Sequence, residues 1–319
     1  MNTGNRLARY VKGGSVEIVD ASAPKMPSRG LLVRTEACGL CSGELMAWYL
    51  DRKAPHVLGH EVCGIVEASD DPRFPVGSRV FPHHHAPCLS CEWCATGRHV
   101  HCPQWKATRL DPGGMAESFA VLSGNLNDTH VVNDLRPVDA ALAEPLACVH
   151  KSLALLPDWG TSAVVGLGAL GLMHALVRKG MTGYDTNPAR RTWAESQGVR
   201  ALSPKQAEPA DAVVVCPGTR AALEFGLNLL QPGGTLVLFA PLPPSQPVSL
   251  DLEALYFRDL HFSTSYSCGP DHTARALATL RSGGLRAEQV VSDFITLDEL
   301  PRAYHAMRSG EILKAMVVF

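Results

Sequence analysis

The feature of this sequence that most restricts its fold is a cluster of cysteines. Cys88, Cys91, Cys94 and Cys102 follow one another in the pattern Cys-x2-Cys-x2-Cys-x7-Cys. Spacings this short let one turning segment offer four thiolates to a tetrahedral ion at little cost in loop-closure entropy. Polar residues flank the cysteines, so burial in an apolar core does not explain them. The cluster predicts a closed zinc site that serves folding; an iron–sulfur cluster, which uses similar ligands, is the alternative.

Composition restricts the class of protein further. The chain has 319 residues, which favours two domains, and 46% of them are hydrophobic, which is enough for two cores. Its 29 basic and 31 acidic residues give a net charge of −2, so we expect no nucleic-acid partner. The longest apolar stretch, Thr161–Val177, is too short for a membrane span and contains glycines. No apolar signal-peptide core is present near residue 1, so we expect a cytosolic protein with reduced cysteines and no membrane partner.

The pattern of apolar residues changes along the chain. Val16–His130 contains short apolar runs broken by Gly and Pro, which predicts an irregular β domain. Val138–Leu156 has Ala and Leu at helical spacing. From Ser162 onward, strand-like and helix-like segments alternate, which indicates an α/β unit with a doubly wound parallel sheet. The end of the chain predicts one more helix and a last strand at Ala315–Val318.

A glycine-rich loop follows the first strand of this second part. Gly166, Gly168 and Gly171 form Gly-x-Gly-x-x-Gly before a predicted helix, and Asp185 follows nineteen residues after Gly166. This arrangement suits a dinucleotide whose pyrophosphate lies at the helix N-terminus and whose ribose hydroxyls bind the acidic residue. It favours NAD over NADP. Asp185 could instead belong only to a turn, and Arg190–Arg191 keep NADP open.

Residue types that bind an open metal site occur at three distant positions. They are Cys41, the pair His60–Glu61 and Glu144. Each has an ordinary explanation, as a core thiol, a hydrogen-bonded imidazole or a solvated carboxylate. Spacing alone does not join these positions.

The order of these motifs resembles the zinc-containing medium-chain alcohol and polyol (sorbitol-like) dehydrogenases. The four-cysteine loop, the Gly59-His60-Glu61 motif and the later glycine-rich loop carry the resemblance, which extends over nearly the whole chain. It implies a GroES-like zinc-binding catalytic domain, residues 1–151 with 290–319, and a Rossmann domain, residues 152–289. It also implies an active site in a cleft between the two.

The resemblance also implies the catalytic zinc ligands. Cys41 and His60 would bind the ion, and Glu61 would be an inner or near ligand. Glu144, in Glu-Pro-Leu, matches the carboxylate ligand of the polyol-dehydrogenase branch. Cys148 is the rival for that place, because other branches use a second thiolate there.

Several further roles follow from the same resemblance. Glu44 would orient His60, and Lys314 would contact the cofactor pyrophosphate. The family's usual hydroxyl, which passes the substrate proton to solvent, is replaced by Gly43. The relay would then use Ser42, which is the only nearby hydroxyl, or the cofactor ribose, a water chain or a different residue. The run His83–His85 is interpreted as structural or pocket-lining.

Together these features predict hydride transfer between an alcohol and NAD. The favoured substrate is a polyol or a secondary alcohol. Zinc would act as a Lewis acid, with one catalytic and one structural ion per chain. We expect a homodimer or homotetramer that pairs through an edge strand, either Thr235–Phe239 or Leu260–Ser265. The alternatives are an NADP-dependent aldehyde or ketone reductase, a zinc-free reductase of the same superfamily, and a non-catalytic dinucleotide-binding sensor.

Overall fold

The computed structural model describes residues 4–244 and 246–319. Its strands are β1 Gly4–Val11, β2 Ser15–Ser22, β3 Leu31–Gly39, β4 His56–Val57, β5 Glu61–Ser69, β6 Arg79–Pro82, β7 Leu110–Asp111, β8 Ser118–Val121, β9 Thr129–Val131, β10 Ser162–Val165, β11 Thr182–Tyr184, β12 Ala201–Leu202, β13 Ala210–Val215, β14 Leu230–Leu238, β15 His261–Thr264, β16 Asp293–Ile295 and β17 Ala315–Val318. Its α-helices are α1 Ala47–Leu50, α2 Glu92–Ala95, α3 Pro103–Ala107, α4 Pro137–Ala140, α5 Ala143–Leu153, α6 Ala169–Val177, α7 Pro188–Ser196, α8 Arg220–Leu229, α9 Leu252–Phe257, α10 Pro270–Arg281, α11 Ala287–Val290 and α12 Leu300–Ser309.

The chain divides into two units. The first unit contains the described residues up to Ala147 together with Cys268–Phe319, and the second contains Cys148–Ser267. The first unit is rich in strands. An eight-stranded sheet has the order β16-β17-β3-β5-β6-β9, with β8 paired to β3 and β7 to β8, and a three-stranded sheet has the order β2-β1-β4. This is the irregular β domain that the broken apolar runs predict.

The pairing of β3 with β5 positions the candidate site. The two strands are antiparallel, and Gly39 at the end of β3 lies opposite Glu61 at the start of β5. Cys41 follows Gly39 by two residues, and His60 immediately precedes Glu61. The register therefore brings Cys41 and His60, nineteen residues apart in sequence, to the same end of two adjacent strands.

The second unit has a fully parallel sheet of six strands in the order β12-β11-β10-β13-β14-β15. Numbered within the unit, this is the order 3-2-1-4-5-6 of a Rossmann fold. Strand β13 is buried along almost its whole length, as expected where helices cover both faces of a sheet. The predicted fold class, an irregular β domain and a doubly wound parallel sheet, is confirmed.

The boundary between the units differs from the predicted one. The chain rejoins the first unit at Cys268 and not at residue 290. Helix α10 continues the strand–helix alternation in sequence, but its polar contacts lie in the first unit. The Thr273 hydroxyl donates to Asp128 at 2.6 Å, and Arg281 pairs with Asp134 at 2.8 Å. Hydrophobic periodicity identifies a helix but does not reveal which sheet the helix packs against.

Two other structural observations bear on the predictions. Of the two candidate edge strands, β14 is interior and β15 forms the edge of its sheet, because β14 is paired on both sides. None of the helices in the described part of the chain has the length and apolar content of a membrane span.

Candidate active site and metal centres

The four cysteines of the predicted zinc loop come together in the structure. Sγ–Sγ distances are 3.5 Å for Cys91–Cys94, 3.6 Å for Cys88–Cys102 and 3.9 Å for Cys88–Cys94. Zinc–sulfur bonds of about 2.3 Å at tetrahedral angles separate the sulfurs by about 3.8 Å. The donor set and its spacing therefore fit a closed four-thiolate zinc site. Trp105 packs against the cysteines, and together they belong to one small apolar cluster.

The open site begins with Cys41 and His60. They lie close enough that each shifts the pKa of the other. Glu44, buried in the turn after Cys41, lies with Oε1 3.3 Å from His60 Nδ1. The same oxygen accepts the Gly59 N–H at 2.7 Å, and Oε2 accepts the Cys41 N–H at 3.3 Å. Glu44 thus fixes the backbone before His60 and the orientation of its ring.

His60 also forms a compact group of possible metal ligands with His84 and Glu144. A ligand atom from each of His60, His84 and Glu144 lies within 4.8 Å of the others, and the ring centroids of His60 and His84 are 4.6 Å apart. Within residues 4–244 and 246–319, the buried His84 Nδ1 has no hydrogen-bond partner. Buried polar atoms are rarely left without a partner, so an orphaned imidazole nitrogen beside a histidine and a carboxylate fits a bound ion.

Burial controls the protonation of these groups. Burial raises the pKa of Glu144 to about 7, with His60 opposing the shift. Burial, reinforced by the neighbouring histidines, places the pKa of His84 well below its usual range. For His60, burial lowers the pKa, but Cys41 and Glu44 together raise it well above the ordinary value. The cluster therefore combines a neutral imidazole with groups whose charge depends on their neighbours, as metal-binding sites do.

Glu61 and Lys314 form a buried ion pair next to this cluster. Lys314 Nζ lies 2.5 Å from Glu61 Oε2 and donates to the Leu40 carbonyl at 3.0 Å. The exposed fractions of Lys314 and Glu61 are only 2% and 1%. Burial lowers the pKa of Lys314, but Glu61, Cys41 and Glu144 together raise it above its ordinary value. The structure thus gives Lys314 a carboxylate partner in the first unit, and its contact with a cofactor pyrophosphate stays a prediction.

The remaining predicted residues near Cys41 and Glu144 occupy short helical segments. Ser42 is partly buried at the start of a one-turn 3-10 helix, and the Gly43 N–H donates to Cys41 Sγ at 3.3 Å. Glu144 and Cys148 are four residues apart in α5 and so project from one side of that helix.

The glycine-rich loop of the second unit has the geometry predicted for it. It joins β10 to α6, and Gly168 caps the helix. Gly166 has φ +88°, a conformation that favours glycine. A Cβ on Gly171 would overlap the carbonyl oxygen of Gly166, so a side chain there would force the helix away from the strand. Helix α6 has only nine residues.

Asp185 lies at the end of β11, beside this loop. It is buried; its Oδ2 accepts the Leu167 N–H at 2.7 Å, and its Oδ1 accepts the Asn187 N–H at 2.8 Å. Arg190 Nη1 is 3.9 Å from Oδ2. The loop and the carboxylate are thus in direct contact, and the glycines with Asp185 fit a dinucleotide with its ribose near Asp185.

Sequence reasoning missed the specific roles of the three consecutive histidines. His84 joins the open cluster, whereas His85 Nδ1 lies 2.8 Å from the Thr108 carbonyl and packs on Trp105. His83 lies in a second buried group with Cys268 and Glu144, and this group shares Glu144 with the open cluster. The sequence signal for these roles is the run of three adjacent histidines before the metal loop. Adjacency alone does not reveal where each ring points.

Comparison with known proteins agrees with this architecture. Residues 27–130 match the alcohol dehydrogenase GroES-like domain. The chain is 30% identical to D-altritol 5-dehydrogenase of Agrobacterium fabrum over 92% of this chain and 93% of that protein. It is 27% identical to L-threonine 3-dehydrogenase of Bacillus subtilis over the full length of both.

A solved structure shows the same fold. A zinc-binding dehydrogenase of Sinorhizobium meliloti bound to NADP superposes with a TM-score of 0.87 at 24% identity, covering 100% of both chains. The similarity to the altritol enzyme over almost the whole chain establishes the relationship. This chain belongs to the zinc-containing medium-chain alcohol and polyol dehydrogenase family.

Proposed function

We propose that the protein oxidises a polyol or another secondary alcohol with NAD, using a zinc ion held by Cys41, His60 and Glu144. The observation that supports this most directly is the convergence of His60 and Glu144 ligand atoms, with Cys41 close enough to His60 to shift its pKa. When bound, zinc supplies a Lewis acid that polarises the substrate oxygen, and NAD accepts the hydride.

The chain's own residues prepare this site before substrate arrives. Glu44 contacts His60 Nδ1, which leaves Nε2 as the ligand atom, a common arrangement for metal-binding histidines. Glu61 is the near carboxylate, and Lys314 holds it in place and balances its buried charge. His84 lines the pocket beside His60 and offers a further nitrogen to the ion or the substrate. The Ser42 hydroxyl takes the place of the missing hydroxyl at Gly43 in moving the substrate proton.

The substrate class is tested directly by assaying the zinc-loaded protein with NAD. The panel is D-altritol, sorbitol, L-threonine and ethanol. We expect NADH to form fastest with the polyols, because the relative with 30% identity is a D-altritol dehydrogenase. Turnover of L-threonine alone would refute the polyol assignment. No turnover of any alcohol by fully zinc-loaded protein would support a dinucleotide-binding sensor in place of an enzyme.

The choice of NAD rests on the Asp185 carboxylate, which would bind ribose hydroxyls and repel a 2′-phosphate. We expect Asp185→Asn to shift the ratio of kcat/KM for NADP over NAD upward by about tenfold, because removing one repulsion of about 1.4 kcal/mol changes a rate ratio tenfold. The amide can still accept the Leu167 N–H. Initial rates with both cofactors measure the ratio.

Asp211→Asn is the matched control. Asp211 also accepts a loop N–H in the second unit, from Thr161 at 2.7 Å, so its replacement removes a comparable carboxylate. This variant should leave the cofactor ratio unchanged. A wild-type protein that already prefers NADP would contradict the role given to Asp185.

We further propose that the four-cysteine loop holds a structural zinc and that the protein forms a homodimer or homotetramer through β15. This strand is the exposed edge of the parallel sheet, and exposed aromatic residues lie near it. They are Tyr256, Phe257 and Phe262. An edge strand bordered by apolar surface is a ready site for pairing with a second copy.

A further inference from the structure

A second buried group adjoins the proposed catalytic ligands and shares Glu144 with them, while its other two members, His83 and Cys268, have no part in the proposed reaction. Ligand atoms of His83, Glu144 and Cys268 all lie within 4.8 Å of one another, and all three residues are buried. His83 Nε2 is 3.6 Å from Cys268 Sγ. Bonds of about 2.0 Å to nitrogen and 2.3 Å to sulfur at tetrahedral angles would set these atoms about 3.6 Å apart.

A hydrogen-bond network holds His83 in this orientation. Its Nδ1 lies 2.8 Å from Asp128 Oδ2, which directs Nε2 toward Cys268. Asp128 is fully buried, and its Oδ1 accepts the Thr273 hydroxyl at 2.6 Å and lies 2.9 Å from His130 Nε2. A carboxylate on the far nitrogen of a histidine is the usual support of a metal ligand, since it fixes the ring and its tautomer.

The charge of the group also favours a cation. Asp128, Glu144 and the Cys268 thiol bring up to three negative charges into a buried region. The imidazoles near them are those of His83 and His130 and, beside Glu144, those of His60 and His84. A divalent ion compensates two negative charges at once. A mixed set of nitrogen, thiolate and carboxylate ligands suits zinc rather than magnesium or calcium.

We propose that His83, Glu144 and Cys268 bind a second transition-metal ion, zinc, in addition to the ion at Cys41 and His60. The Glu144 carboxylate has two oxygens and belongs to both groups, so it bridges the two ions. This inference rests on the proposed function in one respect, which is that a first zinc ion is bound at Cys41 and His60. Three protein ligands leave the fourth position for water, as in other open zinc sites.

The test is the zinc content of the purified, zinc-saturated and desalted protein. Cys268→Ala should contain one zinc fewer per chain than the wild type. Cys63→Ala is the matched control, because Cys63 is a fully buried cysteine of the first unit outside these groups, and it should keep the wild-type content. Circular dichroism checks that both variants are folded.

Asp128→Asn provides a second variant that retains all three ligands. Its affinity for this zinc should fall by about 10- to 100-fold, as is typical when the hydrogen-bond partner of a metal-binding histidine is altered. Co²⁺-loaded protein gives an independent signal, because the thiolate-to-Co²⁺ absorption should decrease in Cys268→Ala and persist in Cys63→Ala.

The result that overturns the proposal is equal zinc content and equal Co²⁺ absorption in wild type, Cys268→Ala and Asp128→Asn. His83 and Cys268 would then form a hydrogen-bonded pair without an ion. The outcome is separable from that of the proposed function. Zinc lost from Cys268→Ala in a protein that oxidises no alcohol supports the second site and refutes the enzyme. Alcohol oxidation together with unchanged zinc content in Cys268→Ala would support the enzyme and refute the second site.

Discussion

Replacing Cys94 by serine should remove one zinc ion per chain and lower the thermal midpoint of unfolding by about 8–16 °C. Cys94 Sγ lies 3.5 Å from Cys91 and 3.9 Å from Cys88, so that one ion bound by Cys94 would also contact the neighbouring sulfurs. Loss of a structural metal is among the few changes that cost about 4 kcal/mol or more, and 1 kcal/mol shifts the midpoint of such a domain by about 2–4 °C. Metal analysis and calorimetry measure the two effects.

Cys63→Ala again serves as the control. It removes a fully buried thiol from β5 without touching the loop, so it should reduce stability modestly and leave the zinc content unchanged. Iron in place of zinc in the wild-type protein would favour the iron–sulfur alternative. A Cys94→Ser protein with normal metal content and normal midpoint would show that the loop folds without the ion.

The parts of the molecule that sequence reasoning predicted best are local in sequence. The four cysteines lie in one loop, and the glycine-rich loop with Asp185 spans one strand–helix–strand unit. Short segments of this kind carry their own geometry, because ligand spacing, turn residues and strand periodicity act over a few residues. The last strand, Ala315–Val318, was accordingly predicted to the residue.

The parts that could not be predicted depend on pairing between distant segments. Cys41 meets His60 because β3 and β5 pair in one particular register, and a sequence pattern does not specify the register. His84 and Cys268 reach their groups of ligands from positions still farther away in the sequence. Only their residue types therefore indicated a role. The resemblance to a known family predicted roles for His60 and Glu144, but it did not predict the ion pair between Lys314 and Glu61.

His60→Gln should lower kcat/KM for alcohol oxidation by about 10³-fold or more. A Lewis acid contributes several kcal/mol of charge stabilisation, and each 1.36 kcal/mol corresponds to a factor of ten. His60 contacts Cys41 and Glu44 and shares a cluster with His84 and Glu144, so its loss dismantles the set. The measurement is NADH formation with the best polyol substrate, together with zinc content.

Two variants of α5 then decide which residue of that helix is the third ligand. Glu144→Gln keeps the shape of the side chain but replaces a carboxylate with a weak neutral ligand, so turnover should fall nearly as far as in His60→Gln. Cys148→Ser should stay within about threefold of wild type, because a residue outside the metal set contributes little to charge stabilisation in the transition state. The reverse ranking would make Cys148 the ligand. A His60→Gln protein with wild-type turnover would instead show that no ion at this cluster takes part in the reaction, because a lost Lewis acid cannot leave the rate unchanged.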